Sequence, residues 1–532
     1  MLDLTIKTIN FREDDMKSFG RKYFGVAMLA VAGAAAIAGA TPALAQKEKD
    51  TLRYAFQRST QALDMYLDPG LHTTFTQEIV FDTVISYNDA TMKFEPLLAK
   101  SWTRVSPTVI EMELKEDVKW HDGEAFSADD VVYTFEWLLD PKSKVFFKPQ
   151  WSWIDKVEKL GSNKIRVSAK QPTPFDMLNL AVLSPIMPKH VHGPLANKAD
   201  FVPKSTGTGP YRAVSVDTSH GAVLERSDAF KHGNSWKTPA KIKRMEIKLI
   251  PDFGTQVAQL LAGGVDLATM PWAEAQALSQ SPNHYTFAHE SFSYVYMMID
   301  STGHSGIKEL QDPRVRKALM MAVNPKEILQ VVAGDTKVDL PEHVCWKNQF
   351  GCAYTKLPPN YDPEGAKKLL AEAGYPNGFD IDVYSVDGIY KDTNQVVAGQ
   401  LRKIGVRANS KAMTRAAFRQ EINKGKMGIV ATVWNGGGMA DVAGSLDYFL
   451  FADLKDYIEG SDLRDLATKS AAEMDDAKRK QLVGQIMDRF TDSYSVRQLI
   501  PAPTVYVAHN SVQIGRRAHV AGGLLGYDFG WK

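Results

Sequence analysis

Cysteine, an excess of charge of either sign, and long apolar runs are all scarce in this sequence, and each shortage excludes something. Only two cysteines occur in 532 residues. A small disulfide-stapled scaffold uses several, so the fold must rest on apolar cores instead. A thiolate metal site would need more ligands than His343, the only other candidate near Cys345 and Cys352. Lys and Arg number 63 against 62 Asp and Glu, for a net charge of +1. That balance gives no support to a nucleic-acid partner, which a basic face would recognise. After the first 45 residues no uninterrupted apolar run reaches the ~18 residues of a membrane span. Enzyme signatures are missing too: there is no G-x-S-x-G elbow, no H-E-x-x-H, no Walker A loop and no G-x-G-x-x-G after a strand. Gly436-Gly437-Gly438 follows an apolar strand but lacks a Lys and a helix start, so it makes a poor phosphate loop. No catalytic residue, cofactor or metal is therefore expected. Hydrophobic residues make up 44% and charged residues 23%, ordinary for a globular chain with material for more than one core.

The N-terminus carries a targeting pattern. Lys17, Arg21 and Lys22 precede an apolar stretch from Tyr23 to Ala40, and Ala43-Leu44-Ala45 follows. A positive flank, an apolar core and a small-residue site read as a secretory signal peptide cleaved after Ala45. Met16 begins a more typical signal than Met1, and both starts stay open. In an oxidising compartment Cys345 and Cys352 are expected to pair, two free thiols being the alternative. With six residues between them, the closed loop is worth about 2–3 kcal/mol at most in the chain-entropy model.

Strand and helix periods alternate along the chain. Leu52, Tyr54 and Phe56 predict a strand over Thr51–Gln57, and helical spacing follows over Phe75–Ile85. Val109–Leu114 and Lys164–Ala169 read as strands, flanking a helix that starts at Ser127, three residues before Asp130, and stops at Pro141. Met245–Ile250, Val265–Ala268 and Phe292–Ile299 are expected strands, with a helix over Thr255–Ala262. Helices are expected over Pro313–Ala322, Pro325–Val332 and Asp362–Gly374. Phe379–Val386, Asn394–Ile404 and Val406–Lys411 form a β-α-β unit, followed by a helix at Arg415–Lys424 and a strand at Gly428–Val433. The alternation predicts an α/β architecture.

Several blocks then match in order. The run from Leu114 to Glu124, containing Trp120-His121-Asp122-Gly123, leads into Phe126-Ser127-Ala128-Asp129-Asp130-Val131. Gly207-Thr208-Gly209-Pro210-Tyr211, Leu224-Glu225-Arg226, Leu260-Leu261-Ala262-Gly263-Gly264-Val265-Asp266, Asp312-Pro313-Arg314-Val315-Arg316-Lys317-Ala318-Leu319 and Ala373-Gly374-Tyr375-Pro376 follow. In this order they resemble the family 5 bacterial extracellular solute-binding proteins over nearly all of Thr51–Lys532. Most of these blocks read as structural: His121 and Asp122 as local turn residues, Arg314 and Arg316 as ion-paired beside Asp312.

The resemblance implies a two-lobed periplasmic binding protein fold of type II, from the large cluster with an extra subdomain in the first lobe. It implies a first lobe over 46–302 with the subdomain at about 91–200, a second over 303–500, and a return over 501–532. It implies a periplasmic, monomeric substrate-binding subunit that captures a peptide or other small polar solute by hinge closure and docks on permease subunits of an ABC importer. A non-peptide solute (opine, sugar or metal chelate) is the alternative, and a secreted hydrolase the more distant one. Four segments would line the cleft. Trp434, Asn435, Gly436, Gly437 and Asp441 form one; Asp68, Leu71, His72 and Phe75 another. Phe147 and Trp151 come from an aromatic cluster with Phe146 and Trp153. Tyr294 and Tyr296 lie near the crossing between lobes, and Asp387 lies within Val383–Tyr390, the segment where dipeptide receptors of this family carry an Arg. That Arg is missing here, and so is the Asp shortly after the pocket Trp, which argues against free dipeptides. Trp434 also has an alternative as a core aromatic.

Overall fold

A computed structural model describes residues 47–58, 66–67, 71–146, 148–289, 291–334, 338–387, 389–434, 441–452, 456–458, 460–502, 504–518 and 523–532. The leader, its expected cleavage after Ala45, and the candidates Asp68, Phe147, Asn435, Gly436 and Gly437 lie outside the described residues, as does the side chain of Leu71. Among the described residues no helix is long and apolar enough to cross a membrane.

The chain opens with β1 (Thr51–Phe56) and α1 (Leu71–Val80). It then builds β2 (Ala99–Ser106), β3 (Val109–Leu114), α2 (Ala128–Leu139), β4 (Ile154–Gly161) and β5 (Lys164–Ala169). Next come β6 (Tyr211–Asp217), β7 (Gly221–Arg226), β8 (Arg244–Leu249), α3 (Phe253–Leu261), β9 (Leu267–Thr269), α4 (Trp272–Gln276) and β10 (His284–His289). A second series runs β11 (Tyr294–Ile299), α5 (Pro313–Met321), α6 (Pro325–Ala333), α7 (Pro363–Glu372), β12 (Asp380–Val386), α8 (Ile389–Lys403), β13 (Arg407–Met413), α9 (Arg415–Asn423) and β14 (Ile429–Trp434). It ends with α10 (Ala443–Leu450), α11 (Ser461–Ser470), α12 (Asp476–Ser493) and β15 (Val496–Pro501), before β16 (Thr504–His509).

These strands make two principal sheets. One has seven strands in the order β10-β16-β9-β1-β8-β7-β6, the other five in the order β13-β12-β14-β11-β15. β2–β5 form a separate four-stranded sheet within the expected subdomain, in the order β2-β3-β5-β4. β1 runs parallel between β8 and β9 and is buried along its whole length, so its polar positions are satisfied inside the protein. Arg53, for example, makes a bidentate pair with buried Asp266, at 2.7 and 2.9 Å.

Local chemistry sets the helix ends. At α2 the Ser127 hydroxyl accepts the Asp129 N–H, and the Asp130 carboxylate accepts the Ser127 N–H at 2.9 Å, the expected capping box. α5, α6 and α7 each start with a proline behind an Asp312, Asn324 or Asp362 cap. α1 departs from expectation: it begins at Leu71 and ends at Val80, and Ile85 belongs to a short strand. The reason lies far off in sequence. Gly209 donates its N–H to the Val80 carbonyl, and a Cβ on Gly207 would come within 1.9 Å of that same oxygen, so the glycine turn fits only against a helix that stops there.

The five-stranded sheet is covered on both faces. Val295, Met297, Ile429 and Ala431 pack with residues of α5–α8, while Tyr294, Tyr296, Val430 and Trp434 pack with residues of α9–α12. β11 lies inside this sheet, between β14 and β15. β16 belongs to the seven-stranded sheet.

Candidate ligand cleft

The topology fixes which ends of the two sheets meet. In the second sheet β12, β13 and β14 are parallel, and β11 and β15 pair so that Tyr294 faces both Trp434 and Pro501. One rim therefore carries the carboxyl ends Val386, Met413 and Trp434 together with the two crossing points. In the first sheet the carboxyl ends of β1 and β9 share a rim with His289, paired to Thr504. The chain leaves each rim to enter the other, between His289 and Tyr294 and again between Pro501 and Thr504. The two crossings are tied by Ala502 N–H donating to the Ser293 carbonyl at 3.0 Å. Two carboxyl rims facing each other across a pair of short crossings is where open α/β sheets hold ligands.

On the second-lobe rim, Trp434 is 5% exposed, with its ring 5.3 Å from Tyr294 and 6.4 Å from Tyr448. Tyr294 donates its hydroxyl to the Val344 carbonyl at 3.1 Å. Burial pushes its pKa up, opposed by the neighbouring Ser445 hydroxyl and Gln498 amide; neither side chain reaches hydrogen-bond geometry. Tyr296 sits one pleat deeper, its hydroxyl 2.8 Å from that of Tyr448. Asp387 is exposed just past β12, its N–H held by the Met413 carbonyl.

Asp441 does not present a free carboxylate. It is buried in a bidentate pair with Arg479, at 2.6 and 2.8 Å, and also caps the Ala443 N–H at 2.7 Å. Its expected role as a ligand group is corrected to an anchor for the end of the segment after Trp434. The expected disulfide joins Cys345 and Cys352 beside it. Gln349 donates to the Asp441 carbonyl, and Val442 N–H to the Phe350 carbonyl.

On the first-lobe side His72 stacks on Phe56 at 4.1 Å, at the carboxyl end of β1. Burial, reinforced by Arg58, lowers its pKa to about 4, so the ring is neutral at neutral pH. Phe75 lies one turn deeper among Tyr54, Phe56 and Phe529, and belongs to the core. Trp151 is also core: it is 2% exposed, packs on Tyr66, and donates its indole N–H to Ser184 at 3.2 Å. Trp153 is buried in the same cluster, while Phe146 is exposed. Across the lobes, Trp272 of α4 sits so close to Gly334 at the end of α6 that a Cβ there would come within 2.3 Å of the indole.

The family blocks prove structural in an unexpected way. His121 does not bond locally. Its ring spans the glycine turn, Nδ1 accepting the Gly207 N–H at 3.1 Å and Nε2 facing the Gly209 carbonyl at 2.9 Å. Asp122 does bond locally, accepting the Glu124 N–H. Arg314 pairs with Asp312 at 2.6 Å as expected, whereas Arg316 reaches the carbonyls of Leu310, Gln311 and Ser493. Behind the turn, buried Asp82 holds Thr208, His232 and Lys237, each at 2.8 Å. Sequence reasoning missed Tyr448, Ser445 and Gln498 at the rim. Gln498 gave one signal, an amide inside the apolar strand Val496–Pro501. Among the described residues no group of three or more His, Cys, Asp or Glu is placed to hold a metal.

Comparison with known proteins adds four findings. The family model for bacterial extracellular solute-binding proteins, family 5 middle, matches residues 93–455. Heme-binding protein A of Haemophilus influenzae is 27% identical over 402 residues, covering 69% of this chain and 71% of that protein. Oligopeptide-binding protein AppA of Bacillus subtilis is 27% identical over 336 residues, covering 59% of this chain and 60% of that protein, less than two thirds of its length. Among solved structures, HbpA2 from Haemophilus parasuis superposes with a TM-score of 0.77 at 21% identity, covering 91% of this chain and 100% of that one, which supports the two-lobed fold.

Proposed function

The chain belongs to the family 5 bacterial extracellular solute-binding proteins, and from that premise we propose that it is the substrate-binding subunit of an ABC importer, capturing peptides longer than two residues between its lobes. The observation that carries this reading is the pair of facing carboxyl rims, with an aromatic wall of Trp434, Tyr294 and Tyr448 on one and the Phe56–His72 stack on the other. Solute binds one rim, the crossings bend, and closure buries it; the closed face is what the permease subunits recognise. The protein works in the periplasm as a monomer, after cleavage behind Ala45, and performs no catalysis.

Chain length follows from charge. A free dipeptide is all termini and side chains, and its receptor needs a fixed ion pair for each end. Here Asp441, the first carboxylate after Trp434, is spent on Arg479, and Asp387 stands where an Arg would be wanted. A longer peptide is held through its backbone, which neutral donors and aromatic faces can do. The same neutrality favours a second reading, a large uncharged or delocalised non-peptide solute.

The test is capture. Purified mature protein is incubated with a random pool of tri- to octapeptides, and separately with hemin, and bound species are weighed by native mass spectrometry. Peptide capture that falls roughly 5- to 150-fold in Trp434→Ala supports the reading, the range expected for about 1–3 kcal/mol of aromatic burial. Capture of hemin alone selects the non-peptide alternative, and wild-type capture by Trp434→Ala removes the wall from the site.

A further inference from the structure

The loop closed by the disulfide has a use that neither cysteine explains. It belongs to the second lobe by every anchor it makes. Val344 takes the Tyr294 hydroxyl, Phe350 and Gln349 hold the Asp441 stretch, and the Arg479 guanidinium lies 5.9 Å from the Phe350 ring. Gly351, at φ +79°, lets the chain turn within reach of Arg479, where a Cβ would come within 2.7 Å of the guanidinium. The turn itself is closed by Gln349 N–H to the Trp346 carbonyl at 2.8 Å and by Trp346 N–H to the Gln349 side chain. Yet its two aromatic rings, Trp346 and Phe350, pack against the apolar cluster of the first lobe, which also takes in Phe292 from the crossing. A rigid prong of one lobe thus reaches the other at the crossing.

The tip of that prong carries an unanswered donor. The Trp346 indole Nε1 is buried and has no hydrogen-bond partner among the described residues, although a buried N–H ordinarily finds one. The Ser445 hydroxyl and the Gln498 amide stand beside the Tyr294 hydroxyl, to which the same loop is bonded. All three are uncharged. The nearest formal charges on the loop are already matched, Arg479 by Asp441 and Lys347 by Glu342 at 2.7 Å.

We propose that the disulfide loop is a solute-contacting element, and that Trp346 donates its indole N–H to a backbone carbonyl of the bound peptide. The inference rests on the peptide reading above. Its logic is one of matching: an isolated neutral donor satisfies a carbonyl, whereas a carboxylate entering the same buried place would want a cation or several donors. The disulfide keeps the donor in place before the solute arrives, which lowers the ordering cost of binding.

Trp346→Phe removes the N–H and keeps an aromatic ring in the packing. With the tri- to octapeptide pool as probe, this variant should capture peptide about three- to tenfold less than wild type, as loss of one neutral hydrogen bond predicts, with an unchanged melting temperature without peptide. In 15N-tryptophan-labelled protein, the indole signal that vanishes in Trp346→Phe should shift when the pool is added to wild type. Equal capture by Trp346→Phe and wild type, or an indole signal that does not move while peptide binds, overturns this contact and leaves the peptide reading standing. A wild-type protein that captures no peptide from the pool overturns both.

Discussion

Two buried carboxylates, one from each lobe, meet their partners in different ways. In the second lobe Asp441 meets one partner, Arg479, through two parallel bonds in a planar fork. In the first, Asp82 gathers three partners from three separate places, Thr208 on the glycine turn, His232, and Lys237, which also donates to the Phe81 carbonyl. Burial pushes Asp82 up, but Lys237 and His232 outweigh it and hold the carboxyl below the ordinary range. A second acid stands nearby: burial raises Glu78 to about 7, against the pull of Lys237 and with help from Asp89. The second lobe thus has a fixed neutral prop behind its ligand wall. The first has a hub that joins distant segments and contains a group titrating near neutrality. The contrast shows that a buried charge close to a cleft need not read the ligand, because it can be used to position the wall that does.

The contrast can be broken first at the prop. Arg479→Met should leave Asp441 buried and unpaired, costing about 3–5 kcal/mol in denaturant unfolding. The double variant Arg479→Met, Asp441→Leu should recover most of the loss. A single variant as stable as wild type would mean that the pair props nothing.

The hub is sharpened by Glu78→Gln. An acid whose folded pKa is raised favours the fold while protonated and opposes it once ionised. The gain from Glu78→Gln should therefore be absent near pH 4, grow as pH rises past the ordinary 4.5, and level off above about 7. Part of Glu78 reaches solvent, so the gain should stay under about 3 kcal/mol. Unfolding curves at pH 4, 6 and 8 check it, and a gain of equal size at pH 4 would contradict the assignment.

The smallest effect is expected at the ring that spans the glycine turn. Burial lowers His121 to about 4, despite the Gly209 carbonyl, so its contribution is present above the ordinary 6.5 and lost as pH falls towards 4. His121→Ala should cost about 1–2 kcal/mol at pH 7 and less at pH 4. A cost that grows on acidification would reverse the sign.

Much of the fold was legible, because strands and helices declare themselves through neighbours two to four residues away. Ser127 with Asp130, and the prolines behind Asp312, Asn324 and Asp362, placed helix starts correctly. What failed shares one cause. The end of α1 depends on Gly207 and Gly209, the role of His121 on the same turn, and the role of Asp441 on an arginine 38 residues later. One sequence contains no record of which distant residues meet. The site was less legible, because long-range packing decides whether an aromatic such as Trp434, Tyr294, Trp151 or Phe75 faces a cleft or a core, and all four are buried.

β16 has a consequence for how the molecule is made. It lies inside the seven-stranded sheet, between β10 and β9, yet the whole of the five-stranded sheet separates it from both in sequence. Strands β1 and β6–β10 precede it by more than two hundred residues and form an incomplete sheet with β10 detached, while the whole of the second lobe is continuous from β11 to β15. The second lobe can fold on its own schedule; the first must wait for β16. Until His509 arrives the chain holds an open edge at β9, and the long loop that β16 closes makes that closure slow. The sheet of the first lobe is thus completed by a strand made only after every strand of the other sheet, and its closure comes late on the folding path.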